Sequence, residues 1–161
     1  GFSSSSTIHV EVPSNASGVL YCVGGTGGGF TVYMKDGYLF AEYAATLLYR
    51  FVAKSAAPIK PGTATIEVQL LYDAAPAAAQ AATLTLSVDG EVVGQSRVEQ
   101  SCKVILDASE TFDVGMDLGS PVSRRYEELA PFAFNGKIKS LNIKYVHNSL
   151  PAARQIEVLA I

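Results

Sequence analysis

The feature that most constrains the fold of this chain is the alternation of apolar and polar side chains along residues 64–72. Apolar side chains occupy positions 64, 66, 68, 70 and 72, and polar ones occupy 65, 67 and 69. Because successive side chains of a β-strand point to opposite faces, this period of two predicts a strand with one buried and one solvated side. Residues 83–88 repeat the pattern, so the chain is expected to form sheets with one buried and one solvent-exposed face.

Two Asp-Gly pairs, each flanked by strand-like runs, predict tight hairpins. Asp36-Gly37 separates residues 30–35 from 38–43, and Asp89-Gly90 separates 83–88 from 91–94. Glycine tolerates the positive φ that a two-residue hairpin turn requires, which makes this pair a strong hairpin signal. Six further runs predict strands at residues 7–12, 18–23, 47–53, 104–106, 137–146 and 155–159.

The spacing of these runs predicts an all-β, antiparallel β-sandwich. The chain has 161 residues, 48% of them hydrophobic and 17% charged, which suits one domain with a sizeable core. The alanine-rich stretch 73–82 is interrupted by Pro76 and predicts a loop with at most one helical turn. We expect a single domain over 1–161, with 1–6 as an added or disordered lead and 147–161 as a terminal strand or tail. The first residue is Gly rather than Met, so we expect the natural protein to begin further upstream.

The charge balance gives no reason to expect nucleic acid or an anionic membrane as a partner. The net charge is -3, from 12 basic and 15 acidic residues, and the basic residues are scattered along the sequence. The chain has no apolar run of 18 residues, so no membrane-spanning helix is predicted.

Glycine-rich loops, histidines and cysteines often form binding or catalytic sites, but here they lack the neighbouring residues that such sites require. The glycine-rich stretch 24–29 has neither the lysine nor the following helix of a phosphate-binding loop, so a flexible inter-strand loop is expected. His9 and His147 lie far apart in the sequence, and nothing local supplies the placed carboxylate geometry of a metal site or a triad. Cys22 and Cys102 lie beside apolar runs and belong to no CxxC pattern, which predicts buried free thiols. A disulfide between them is the alternative, and it requires that the two residues lie close together in space.

The acidic stretch from Asp107 to Asp117 is more informative. Asp107, Glu110, Asp113 and Asp117 fall within eleven residues, among glycines and serines. Carboxylates on a loop can hold Ca²⁺, which makes Asp107, Asp113 and Asp117 candidate ligands for a structural calcium ion. Asp and Ser also stabilise turns through their own backbone, and this alternative stays open.

Exposed aromatic rings are a second kind of candidate site, because a sugar presents C–H groups to a ring face. Tyr38, Tyr43 and Tyr49 are the candidates for stacking on a sugar, with core packing as the alternative. Glycosidases of sandwich folds use paired acids on one strand. No predicted strand here carries such a set, so hydrolysis of glycosides is not expected.

Four stretches together resemble the C-terminal accessory domain that follows the catalytic domain of many bacterial arylsulfatases. They are residues 29–37, 94–100, 113–122 and 134–138, in matching order and spacing, and the resemblance covers residues 18–146. The stretch 113–122, D-V-G-M-D-L-G-S-P-V, is the most distinctive.

The resemblance implies a concanavalin A-like, laminin-G-like jelly roll that packs against a sulfatase domain or positions its substrate. It implies no catalysis by this chain. The sulfatase nucleophile arises in a C/S-x-P-x-R motif, and the residues after Cys22, Cys102 and Ser120 do not fit it.

The expected function is therefore that of a non-catalytic accessory domain whose partner is a sulfatase catalytic domain of the same natural polypeptide. The expected contact is the loop that contains Asp113, Gly115, Asp117, Gly119 and Ser120, whose acids have no evident partner in the sequence. The alternative is a free-standing, lectin-like module that binds carbohydrate.

Overall fold

The computed structural model describes residues 3–73, 80–102 and 110–146, and the backbone of 157–160. The strands are β1 (Ser3–Val12), β2 (Gly18–Gly25), β3 (Gly28–Lys35), β4 (Tyr38–Ala44), β5 (Arg50–Lys54), β6 (Gly62–Tyr72), β7 (Ala82–Val88), β8 (Glu91–Val98), β9 (Phe112–Val114), β10 (Lys137–Val146) and β11 (Glu157–Ala160). A short 3₁₀ turn, Glu127–Leu129, is the only helical element in these ranges.

The strands form two antiparallel sheets, and the prediction of an all-β sandwich is confirmed. The six-stranded sheet has the order β11-β10-β1-β6-β7-β8, and the five-stranded sheet has the order β5-β4-β3-β2-β9. Both predicted hairpins are present. Asp36 and Gly37 have φ of 51° and 80°, and Asp89 and Gly90 have φ of 50° and 84°, so both turn residues take the positive φ of a two-residue hairpin.

The core lies between the two sheets and is built from the faces that the alternation predicts. Along β6 the even-numbered residues from Ala64 to Tyr72 are buried, and they belong to the same hydrophobic cluster as Leu39 and Ala41 of β4 in the other sheet. Burial of such side chains contributes about 1.5–3 kcal/mol each relative to exposure, which makes this layer the main source of stability.

The predictions of local structure at the N-terminus and in the acidic stretch were wrong. Residues 3–6 are not a disordered lead, because Ser3 to Ser6 belong to β1 and pair with β10, while Ser4 to Ser6 also pair with β6. The Ser6 hydroxyl lies 2.8 Å from the Tyr21 hydroxyl in the core, so a small polar side chain is accommodated there. The acidic stretch, expected to be a loop, contains the three-residue strand β9, which pairs with β2.

Other predictions fall on residues outside the described ranges. These are the strand at 104–106, most of the alanine-rich loop and the candidate calcium ligand Asp107; His147 also lies outside them.

The two sheets meet at the corner where β5 approaches β8. The Ala56 N–H donates to the Val93 carbonyl at 2.9 Å. A Cβ on Gly94 would lie 2.3 Å from the Lys54 carbonyl oxygen, so only glycine permits this approach of the two backbones.

Replacing Gly94 with alanine is expected to lower the free energy of unfolding by about 1–3 kcal/mol, because the backbones must move apart to admit the methyl group. Gly27→Ala is the control, since nothing lies within 4 Å of its Cβ position, and a change within about 0.5 kcal/mol is expected there. Urea denaturation measures both. Equal stability of the two variants would show that the corner is not closely packed.

Candidate functional site

The outer face of the five-stranded sheet is covered by residues 115–135 of the chain, which we call the strap. Its side chains Val122, Tyr126 and Phe132 pack on Val19 and Tyr33 of the sheet and form a second hydrophobic cluster. The strap is also tied by its backbone, since the Val19 N–H donates to the Phe132 carbonyl at 2.8 Å. The face is therefore buried under the protein's own chain.

Aromatic rings fill the space between the strap and the sheet. The Tyr33 ring is stacked on Phe40, with centroids 4.9 Å apart, and meets Tyr126 edge-on at 5.0 Å. Tyr126 is in turn stacked on Phe132 at 5.3 Å. Burial raises the pKa of the Tyr33 and Tyr126 hydroxyls far above the ordinary value, so both stay protonated.

A buried ion pair joins the strap to the sheet at one end. Glu42 of β4 and Arg50 of β5 are 2% and 13% exposed, and Arg50 Nη1 lies 3.0 Å from Glu42 Oε1. The second carboxylate oxygen accepts the hydroxyl of Ser123 in the strap at 2.5 Å. Arg50 also donates to the carbonyls of Thr26 and Val122. One guanidinium therefore fixes the relative position of three loops.

The carboxylates of the 113–122 loop have partners within the chain. Asp117 is buried, and its Oδ2 accepts the Tyr126 hydroxyl at 2.7 Å and the Val122 N–H at 2.9 Å. Asp113 accepts the Thr111 hydroxyl and the Leu118 N–H, both at 3.0 Å. These bonds fix the shape of the loop, so neither acid is unpaired as the sequence suggested.

The calcium prediction places Asp113 and Asp117 correctly side by side, but its third ligand, Asp107, lies outside the described residues. The group that completes the cluster is the Cys22 thiol; one ligand atom from each of the three residues lies within 4.8 Å of the others. Burial, and then the nearby charges of Asp117 and Asp113, raise the pKa of the Cys22 thiol well above its usual value. A protonated thiol is a poor ligand for Ca²⁺, which prefers oxygen. These three residues do not fit a calcium site, and a calcium ion held with Asp107 stays a prediction.

Three loops meet at the end of the five-stranded sheet where Arg50 lies, and we call this the loop end. They are residues 24–28, 45–50 and 117–122. The Thr26 N–H donates to the Ser120 hydroxyl at 3.2 Å, and the Thr26 hydroxyl donates to the Pro121 carbonyl at 2.9 Å. Glu110 accepts the Ser120 hydroxyl at 2.8 Å. The loops are thus bonded to one another.

Large apolar side chains protrude from the loop end into solvent. Leu47 is 47% exposed, Leu48 79%, Tyr49 59% and Leu118 67%. Sequence reasoning assigned residues 47–49 to a strand, whereas β5 begins at Arg50. The run Leu-Leu-Tyr resembles the start of a buried strand, so nothing in its composition indicates that it is exposed.

The three tyrosine candidates lie in different environments. Tyr43 is buried in the core, where its hydroxyl accepts the Cys102 N–H at 3.1 Å, and this removes it from the sugar-stacking candidates. Tyr38 is half-buried under the Lys54 ammonium at the opposite end of β4. Tyr49 alone of the three lies at the loop end, close in the chain to Arg50.

The remaining residues of the predicted interface loop divide between the sheet and the loop end. Gly115 has φ of 81°, and its N–H donates to the Leu20 carbonyl at 2.9 Å, so it ties the loop to the sheet. Gly119 and Ser120 lie at the loop end. Gly119 is exposed, and the Ser120 hydroxyl is occupied by the bond to Glu110.

The fold and this site define an antiparallel β-sandwich that covers one outer face with its own chain and exposes an apolar loop end. Comparison with protein-family models and with curated proteins gave no match. Within the described residues, no helix has the length and apolar character that crossing a membrane requires.

Proposed function

We propose that this chain is a non-catalytic accessory domain, of the concanavalin A-like jelly-roll type, that packs through its loop end against a sulfatase-type catalytic domain of the same natural polypeptide. The observation that carries the proposal is the set of four exposed apolar side chains on loops held together by the buried Arg50. The nature of the partner comes from the resemblance to arylsulfatase accessory domains.

The chemistry of the loop end suits an apolar partner surface. Residues 45–49 and 118–122 carry no charged side chain. Contiguous exposed apolar groups mark surfaces that bind other proteins. Because hydrogen bonds already fix the three loops relative to one another, docking would cost little conformational entropy.

The buried acids of the domain support a structural role. The Glu42 and Asp117 carboxylates are both occupied by donors from the strap and the sheet. His9 lies on the outer face of the other sheet, where its Nδ1 is 3.1 Å from the Thr65 hydroxyl. His9 therefore lies on a different face from the two acids.

The second candidate function, carbohydrate binding, is favoured by the exposed ring of Tyr49. A lectin-like module would stack this ring on a neutral sugar, with the Ser120 side of the loop end beside it. Against this, the strap covers the sheet face around Val19 and Tyr33. A rise in melting temperature with soluble neutral glycans, lost in Tyr49→Ala, would favour this candidate over docking.

Exchanging both Leu47 and Leu48 for serine in the full-length natural protein is expected to loosen the domain from its neighbour. The two leucines are adjacent and exposed, and burying an apolar side chain of this size contributes about 1.5–3 kcal/mol. Limited proteolysis should then separate the domain roughly tenfold faster than in the wild type, since a loss of about 1.4 kcal/mol is a factor of ten.

Val92→Ser is the matched control for this experiment. Val92 is 66% exposed but lies at the β7–β8 hairpin, away from the loop end. If the leucine variant is cleaved no faster than this control, docking through the loop end is contradicted.

A further inference from the structure

A cluster of cations and aromatic rings lies on the outer face of the five-stranded sheet, at the end opposite to the loop end. We call it the cationic patch and define it by Lys35, Tyr38, Phe40, Lys54 and Arg125. Lys35 pairs with Tyr38 across β3 and β4, and Phe40 pairs with Lys54 across β4 and β5. Three adjacent strands therefore contribute neighbouring side chains to it.

The cations of the patch are held in place by the rings and by the strap. Lys54 Nζ lies 4.1 Å from the centre of the Tyr38 ring and 5.5 Å from that of Phe40. Lys35 Nζ donates to the Arg125 carbonyl at 2.8 Å, which brings Arg125 of the strap to the same region. The ammonium of Lys54 is therefore presented above an aromatic surface.

The cations of the patch form few ion pairs. Arg125 is 58% exposed, and its Nε lies 4.0 Å from a carboxylate oxygen of Glu42. That carboxylate is already paired with Arg50 at 3.0 Å. The other acids close in the chain are Asp36, in the exposed hairpin turn, and the exposed Glu127 and Glu128 after Arg125. Within the described residues, none of these three forms an ion pair with a cation of the patch. The chain has a net charge of -3, yet three of its 12 basic residues lie together in the fold. Because they are far apart in the sequence, the sequence alone does not indicate this cluster.

A buried hydroxyl beneath the patch is unsatisfied. Tyr33 is fully buried and stacked on Phe40, and its hydroxyl makes no hydrogen bond of good geometry, although Ser123 is close by. Glu42 and Arg125 are its charged neighbours. This hydroxyl lies beneath the patch and is closed off from solvent.

We propose that the cationic patch binds an oxyanion carried on a sugar ring. The anionic group would lie between Lys54 and Arg125, which flank Phe40, and the C–H face of the ring would lie against Tyr38. The contact between Lys54 and the rings is weak at an exposed site, so an anion can draw the ammonium aside. This site does not rest on the docking proposal. Three cations in a compact patch suit one anionic group better than a nucleic acid, which needs a basic surface along its length.

The test measures binding to the 161-residue chain by NMR shifts and titration calorimetry at constant low ionic strength. The probes are glucose 6-sulfate, glucuronate, glucose and inorganic sulfate, with a single-stranded oligonucleotide as a fifth. We expect saturable binding of at least one anionic sugar, with shifts at residues 35–40, 54 and 125. Comparing the affinities for glucose 6-sulfate and glucuronate then shows whether a sulfate or a carboxylate group is preferred.

Matched variants locate the site. Lys54→Gln and Arg125→Gln are each expected to weaken binding about tenfold, as loss of one charge-assisted hydrogen bond does. Lys54→Arg should retain binding, and Lys137→Gln, an exposed cation on β10 of the other sheet, should bind as the wild type does. The proposal is overturned if no anionic sugar binds or if Lys137→Gln weakens binding equally. It is also overturned if inorganic sulfate or the oligonucleotide binds as tightly as the anionic sugars.

Discussion

Replacing Arg50 with methionine is expected to lower the free energy of unfolding by about 3–5 kcal/mol. Methionine keeps much of the volume but leaves the buried Glu42 carboxylate with only the exposed Arg125, whose Nε is 4.0 Å away, as a cation. A poorly compensated buried charge is strongly destabilising. The carbonyls of Thr26 and Val122 would also lose a donor. Urea denaturation followed by circular dichroism measures the loss.

Two further variants separate the ion pair from the loss of packing. In the double variant Arg50→Met with Glu42→Leu, the unpaired charge is gone, so the loss should be smaller than the sum of the two single losses. Arg97→Met is the control, because Arg97 and Asp73 form an exposed pair, and such pairs contribute about 0–1 kcal/mol. A loss at Arg50 no larger than at Arg97 would contradict the structural role of the buried pair.

Replacing Tyr126 with alanine is expected to cost about 3–5 kcal/mol, as truncation of a buried aromatic side chain does. Its ring is packed between Tyr33 and Phe132, and its hydroxyl donates to the buried Asp117 carboxylate. Tyr126→Phe keeps the ring and removes only the donor, so a smaller loss of about 1–3 kcal/mol is expected. Thermal and urea unfolding measure both.

The Tyr126 series also tests whether the strap is an integral part of the domain. Tyr49→Ala removes an exposed ring of the same type and should change stability by no more than about 0.5 kcal/mol. If Tyr126→Ala were as mild as Tyr49→Ala, the strap would be a loosely attached cover, and the sheet face beneath it could open to a ligand.

The fold could be predicted from the sequence because its signals are local. The alternation along residues 64–72 specifies which face is buried, and each Asp-Gly pair specifies a turn that only a hairpin uses. The same parity argument would have placed Tyr43 in the core, since it shares a strand face with Leu39 and Ala41.

The candidate site could not be predicted because it depends on contacts between distant segments. Glu42 and Arg50 are eight residues apart, but their pairing depends on where β5 starts, and the apolar run 47–49 conceals that point. The strap lacks the alternation of a strand, so nothing in its sequence indicates that Tyr126 lies on Tyr33. The cationic patch combines residues from three strands and the strap, which only the folded chain brings together.

Docking through the loop end is tested most directly by hydrogen–deuterium exchange, followed peptide by peptide, in the natural protein and in the isolated 161-residue chain. The natural protein is first sequenced to establish whether it contains a C/S-x-P-x-R motif in a second domain. We predict that it does, and that amides near residues 45–49 and 118–120 exchange more slowly there than in the isolated chain, while those of the β7–β8 hairpin exchange alike. The absence of such a domain, or equal exchange at the loop end in both proteins, would contradict the proposed function.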